Sequence, residues 1–177
     1  MQHLSAEELL AQYASGKRNF SEINLIQANL FEANLSDVNL QQSNLQEVYL
    51  PYANLSNANL CQAQFPAAQL GNAKLDRADL SEANLQNANL SRASLRYTNL
   101  KGADLSGANL QGADLYNADL SCADLRYADL TGANLEEAKL DSVQVTGTNF
   151  YRAKRVDLSK AKYDRTTIFP DGYRRDS

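Results

Sequence analysis

The chain has 177 residues and a formal net charge of −4, and Leu (27), Ala (25) and Asn (18) supply about 40% of it. An apolar content of 44% excludes a Pro/Ser-rich disordered chain, and eight Val plus Ile residues are too few for a doubly wound sheet. No run approaches the ~18 apolar residues of a membrane span. Glu7 and Glu8 stand where a signal peptide would be apolar, so a cytoplasmic protein with no membrane partner is expected.

Residues 1–17 read as a capping helix. Ser5-Ala6-Glu7-Glu8 is a capping box, with Leu4 and Leu9 placed for a hydrophobic staple. Leu9, Leu10 and Tyr13 share one helical face, and Gly16 suits the C′ position. Ile26 and Phe31 stand in outward slots and are expected to pack under this helix. His3, the sole histidine, is expected in a frayed N-terminus. That removes most raw material for His-based catalysis or a metal site.

Residues 18–152 hold a repeat of period five that keeps phase for 27 copies. Every fifth residue from Phe20 to Phe150 is apolar, and 23 of these are Leu. Two positions earlier stands Ala in 19 copies, and between the two stands Asn or Asp in 20. The last two positions of each unit vary. On a helix these leucines would advance ~140° per step and spread round every face. A triplet Ala-x-Leu alternates in-out-in as a short strand does, and the next two residues turn the chain so that the following Leu also points inward. Units that always bend the same way close into a coil, and coils stack at ~4.8 Å through parallel ladders. The reading is an all-β solenoid with a Leu core and an Ala lining.

Residues 153–177 read as a shifted last coil and C-terminal cap. Arg155 falls where an apolar residue is due, and a displaced series follows: Val156-x-Leu158, Ala161-x-Tyr163, Thr166-x-Ile168. An inserted bulge is expected there, and Phe169-Pro170-Asp171-Gly172-Tyr173 reads as a closing turn.

The unit Ala-(Asp/Asn)-Leu-x-x, as in Ala103-Asp104-Leu105-Ser106-Gly107, resembles the pentapeptide-repeat family over residues 18–152. Leu9-Leu10 through Phe20 is also similar to the start of such proteins in photosynthetic bacteria. The resemblance implies a right-handed quadrilateral parallel β-helix, four units per coil, with a short N-terminal capping α-helix. At ~4.8 Å per coil the repeats then make a rod about 32 Å long. Some family members bind type II topoisomerases as DNA mimics, and some associate through the C-terminal coil.

Candidate functional residues are then few. Arg77 and Tyr97 stack in one column of a four-sided coil, and Arg96 and Tyr116 in the next, so all four are expected on one face as a protein-binding patch. Asp104, Asp114, Asp119, Asp124 and Asp129 are expected as an acidic patch, with Asp104 and Asp124 stacked. Residues 18–152 carry nine Lys/Arg against fifteen Asp/Glu. DNA of this length presents on the order of twenty charges, so mimicry is the alternative reading and direct nucleic-acid binding is not expected. Cys61 and Cys122 fall ~14 Å apart along the axis, beyond disulfide reach. No phosphate loop, nucleophile elbow or metal motif is present. The expectation is a non-enzymatic interaction scaffold for a protein partner, without cofactor or metal, as a monomer or a C-terminal dimer. Residues 153–177 carry seven basic residues against four acidic, which suits either a solvated tail or an end-to-end or dimer contact through the C-terminal coil.

Overall fold

The structure is a computed structural model that describes residues 1–175. Its named elements are strand β1 (Gln2–His3), helix α1 (Ala6–Ala14) and strand β2 (Ile23–Asn24). The rest is one repeated local geometry, a straight triplet followed by a two-residue turn. The middle residue of each triplet bridges in parallel to the residue twenty positions on, from Asn19 with Asn39 to Asn134 with Lys154. Twenty residues contain four triplets and four turns, so the coil has four faces. They are identified below by one middle residue each: the Asn24, Asn29, Asn34 and Asn39 faces.

The backbone explains why the unit reads as it does. In the unit around Leu85, Leu85 N–H donates to Asp104 O on the coil above at 2.7 Å, and Asn84 N–H donates to Ala63 O below at 3.0 Å. Asn87 N–H reaches Ser106 O, and Ala88 N–H closes the turn onto Leu85 O, each at 3.0 Å. One N–H of the five, that of Gln86, has no backbone acceptor; Asn84 Oδ1 takes it at 3.0 Å. The same side-chain bond recurs from Asn24 to Ile26 and from Asp129 to Thr131. Asn and Asp hold the middle slot because either supplies a short acceptor that ends the turn.

The second turn residue is less free than the sequence suggests. Its φ is positive throughout, for example 57° at Glu82, 59° at Tyr97 and 62° at Tyr127, and five glycines occupy the same slot. A positive φ at the second central residue alone is the signature of a type II turn.

The central Leu column is buried from end to end, with Phe20, Phe65, Val145 and Phe150 replacing Leu. The Ala slot is small because it lies against the turn. Where Ser43, Thr98 or Thr148 takes it, the buried hydroxyl donates to the backbone carbonyl of Phe20, Leu75 or Leu125 on the coil below. Among the described residues no buried side-chain polar atom lacks a partner.

At the N-terminal end His3 is ordered, not frayed. Gln2 and His3 pair in parallel with Ile23 and Asn24, and Leu4 N–H donates to Asn24 O at 3.2 Å. Gln2-His3-Leu4 is thus a lone triplet beneath the Asn24 face, with Leu4 buried. Helix α1 then leaves. The capping box forms as expected, Glu8 N–H to Ser5 Oγ at 3.1 Å and Ser5 N–H to Glu8 Oε2 at 2.8 Å. Lys17 N–H to Gln12 O and Gly16 N–H to Tyr13 O close the other end as a Schellman motif. Leu9 enters the core, and Tyr13 Oη donates to Ser36 O at 2.8 Å. Phe31 does not pack under the helix: it is 47% exposed, stacks on Tyr49 and meets Tyr52 edge to face, because α1 runs toward Ser36 at a different turn. Ile26 is also exposed, beside the first helical turn.

At the C-terminal end the chain shortens, in contrast to the inserted bulge that the sequence suggests. Arg155 leaves the core, Gln144 pairs with Lys162 eighteen residues on, and Asn149 with Ile168 nineteen on. The inward pair of the last triplet is Thr167 and Phe169, so Ile168 takes the middle slot instead of pointing in. Phe169 N–H to Tyr173 O at 2.8 Å closes the expected turn, and Ile168 bridges antiparallel to Arg174. The expected contact through the C-terminal coil extends to Asp176 and Ser177, which lie outside the described residues. Among the described residues no helix is long and apolar enough to cross a membrane.

These contacts set the cost of two kinds of substitution. Leu85→Ala, at a fully buried site, is expected to cost about 3 kcal/mol in denaturant unfolding. Gly132 (φ 69°) and Gly147 (φ 70°) differ in surroundings: a Cβ at Gly132 meets open space, whereas one at Gly147 lies 2.6 Å from the Tyr127 ring. Gly132→Ala is expected to cost about 1 kcal/mol from backbone strain, and Gly147→Ala more. Adding Tyr127→Ser should abolish the difference in melting temperature between the two.

Candidate functional site

Arg77, Arg96, Tyr97 and Tyr116 occupy turn positions between the Asn34 and Asn39 faces, so they line an edge of the rod and not one flat face. The columns form as the register requires. The Arg77 guanidinium lies 5.7 Å from the Tyr97 ring centre, and that of Arg96 lies 4.9 Å from the Tyr116 ring. Tyr97 and Tyr116 meet edge to face at 5.5 Å, which links the two columns. Tyr97 remains 45% exposed. Arg96 also pairs with Asp114 Oδ2 at 3.0 Å. That bond joins two groups of residues that are separate in the sequence. Lys74 and Arg92, both exposed, carry no signal in the five-residue pattern. Lys74 stands in the middle slot of the Asn34 face and Arg92 at its far turn, and the period-twenty register would have revealed both.

The five aspartates do not form a patch. Asp104 and Asp124 bridge on the Asn24 face, but Asp114, Asp119 and Asp129 stand one on each of the other three. Each accepts the N–H of the residue two positions on, the bond an Asn would also make. Arg126 Nε lies 2.9 Å from both oxygens of Asp124, which offsets the repulsion expected for the Asp104–Asp124 stack. Lys139 stands 3.7 Å from Asp119. At Asp119, Asp124 and Asp129 partial burial opposes the charge. Bonds to Ser121, Arg126 and Thr131 respectively outweigh it and hold the three carboxyls below their ordinary range. Cys61 is half-buried, Cys122 is exposed, and both are free thiols.

These features define a parallel β-solenoid of five-residue units with a helix over its first coil. A pentapeptide repeat region model matches residues 18–95, and a pentapeptide repeats model of eight copies matches residues 83–121 and 118–154. The chain belongs to the pentapeptide-repeat family. Solved structures similar to it include HetL from the cyanobacterium Nostoc sp. strain PCC 7120, described as involved in heterocyst differentiation regulation. HetL is 29% identical over 98% of this chain and 100% of that one, with a TM-score of 0.45. Rfr23 from the cyanobacterium Cyanothece 51142 is 27% identical over 93% and 99%, with a TM-score of 0.44. QnrB1, described as a plasmid-mediated fluoroquinolone resistance protein, is 15% identical over 82% and 84%, with a TM-score of 0.43. Comparison with curated proteins gives no match.

The lowered carboxyls set a pH dependence. Their contribution to stability is complete above the ordinary carboxylate pKa of about 4 and is lost as pH falls through their lower folded values. The melting temperature should hold from pH 7 to 5 and fall below about pH 4. The variant Asp119→Asn, Asp124→Asn, Asp129→Asn keeps the turn acceptors and should lose less on acidification.

Proposed function

We propose that the protein is a non-enzymatic scaffold, a right-handed four-sided rod that acts in the cytoplasm by presenting its Arg/Tyr edge to a protein partner. The observation that carries this reading is the interlocked set Arg77, Tyr97, Tyr116 and Arg96. Tyr and Arg are the side chains most enriched where binding energy concentrates. Here each is held by its neighbour on a backbone that the coil ladder already fixes. Little side-chain entropy remains to be lost on docking, which favours affinity. The Arg96–Asp114 pair orients one guanidinium further. Exposed pairs of this kind contribute under ~1 kcal/mol to folding, so the edge is read as a surface for recognition and not for stability. The spread of the aspartates over four faces gives no support to DNA mimicry.

The test is proximity labelling in the native cell with the wild-type chain and with a variant carrying Ser at positions 77, 96, 97 and 116. Proteins labelled by the wild type should disappear from the variant's set, while the melting temperature changes by an amount equivalent to less than ~0.5 kcal/mol per site. Unchanged labelling would remove the edge from consideration. Salt-sensitive inhibition of a type II topoisomerase at nanomolar concentration would support mimicry in its place.

A further inference from the structure

Everywhere along the rod a triplet donates one backbone N–H to the coil below and accepts one from it. Tyr49 N–H donates to Ala28 O at 2.9 Å, and Asn39 O accepts from Phe20 N–H at 2.7 Å. At the N-terminal end the chain supplies this lower rung only twice. Gln2-His3-Leu4 lies under the Asn24 face, and the segment entering at Arg18 lies under the Asn39 face. Between them the chain departs into α1. The backbone N–H and C=O of Asn29 and of Asn34 are left without a partner among the described residues, and both residues are exposed.

Three further features converge on the Asn29 rung. Ala28, in a slot that is otherwise almost always buried, is only partly covered. A cavity of about 250 Å³ lies between the first turn of α1 and this edge, lined by residues including Leu4, Ala6, Ile26 and Ala28. Directly above and beside it sit the exposed aromatics Phe31, Tyr49 and Tyr52, with the Phe31 ring 6.1 Å from Tyr49 and 6.0 Å from Tyr52. The charged side chains of this end are predominantly acidic. Residues 1–60 carry six carboxylates against two cations, Lys17 and Arg18, and those two are held at the C-terminal end of α1, by Gln12 and by Tyr13.

We propose that this rung is a strand-addition site for an extended basic segment of a partner protein, which enters in parallel beneath Ala28-Asn29-Leu30. An unpaired strand edge is a template for such pairing, with backbone bonds giving affinity and alternate side chains giving selectivity. The coil register states what the segment carries. A small residue and a large apolar residue flank one outward residue, as in the triplets of the rod itself. The next position stacks under Phe31 and takes an aromatic or apolar side chain. The position after that lies under Glu32 and takes Lys or Arg. This surface is separate from the Arg/Tyr edge, and the two stand or fall independently.

The test uses the full chain and a fluorescent peptide with the core Ala-Lys-Leu-Phe-Lys. Anisotropy should show saturable binding. N-methylation of the Leu amide, which removes the donor to Asn29 O, should weaken binding by about tenfold or more. The exposed-site variant Phe31→Ser, Tyr52→Ser should do the same without a shift in melting temperature, and hydrogen exchange should show the Asn29 amide protected by peptide. The variant with Ser at the four Arg/Tyr edge positions should bind as the wild type does. Binding indifferent to N-methylation, or an Asn29 amide that stays unprotected, overturns the proposal. So does an Asn29 amide already protected without peptide in a protein that sediments as a dimer, because the occupant is then a second copy.

Discussion

One N–H in five governs the surface of this protein. The coil-to-coil ladder and the turn bond satisfy four backbone donors per unit, and the first turn residue's N–H is left over. A buried or half-buried amide without an acceptor costs ~1–3 kcal/mol, and the structure repeats that site along the rod except at Pro51 and Pro66, which have no N–H. A side chain one bond longer than Ser and carrying a carbonyl-like oxygen closes it. The column of Asn and Asp is therefore part of the backbone hydrogen-bond system, though it stands on the outside.

It follows that charge in this column is under weak constraint. Asn84 and Asp104 make the same turn bond, and Asn99 adds an amide donor to Asp79 on the coil below. Exchange of Asn for Asp leaves the acceptor in place and changes only the net charge. An acidic excess can then accumulate without any surface being built for it, and the five aspartates scattered over four faces have that character. The Arg/Tyr edge differs. Nothing in the backbone accounting requires Arg or Tyr at positions 77, 96, 97 or 116, and their contacts tie two Arg–Tyr columns together across coils.

The inward residues were legible in the sequence because each serves a single purpose. Leu at every fifth position and Ala two before it fix which side faces the axis. The number of faces was not legible from period five, which is compatible with any closed polygon. It required the family resemblance, and the bridges at twenty residues supply it. The positive φ of the second turn residue could have been read. Gly102, Gly107, Gly112, Gly132 and Gly147 all stand there, with Asn57, Asn72, Asn87 and Asn117 beside them in register. That slot is the corner of the coil, and Arg77 and Tyr97 occupy it. The paired columns Arg77–Tyr97 and Arg96–Tyr116 were legible once four sides were assumed. The link to Asp114 was not, since it runs between neighbouring coils eighteen residues apart.

The two ends were the least legible parts, for a physical reason. Within the rod each triplet sees a copy of itself above and below, so one unit's pattern predicts its environment. At an end that symmetry is gone, and the chain meets the exposed rung with whatever segment is at hand. Gln2-His3-Leu4 carries no Ala and no Asn, yet it imitates a triplet because only an inward Leu and free backbone groups are needed. At the other end a hairpin closes the last coil after the count between paired residues has fallen from twenty to eighteen and then nineteen. Helix α1 covers the axis with Leu9 and Tyr13 but cannot pair a strand edge, since its own backbone groups are already engaged. A helical cap on a parallel solenoid thus closes the core and leaves part of the ladder open. The open part falls on the faces that the helix and the incoming strand both miss, and Phe31, Tyr49 and Tyr52 stand exposed beside it.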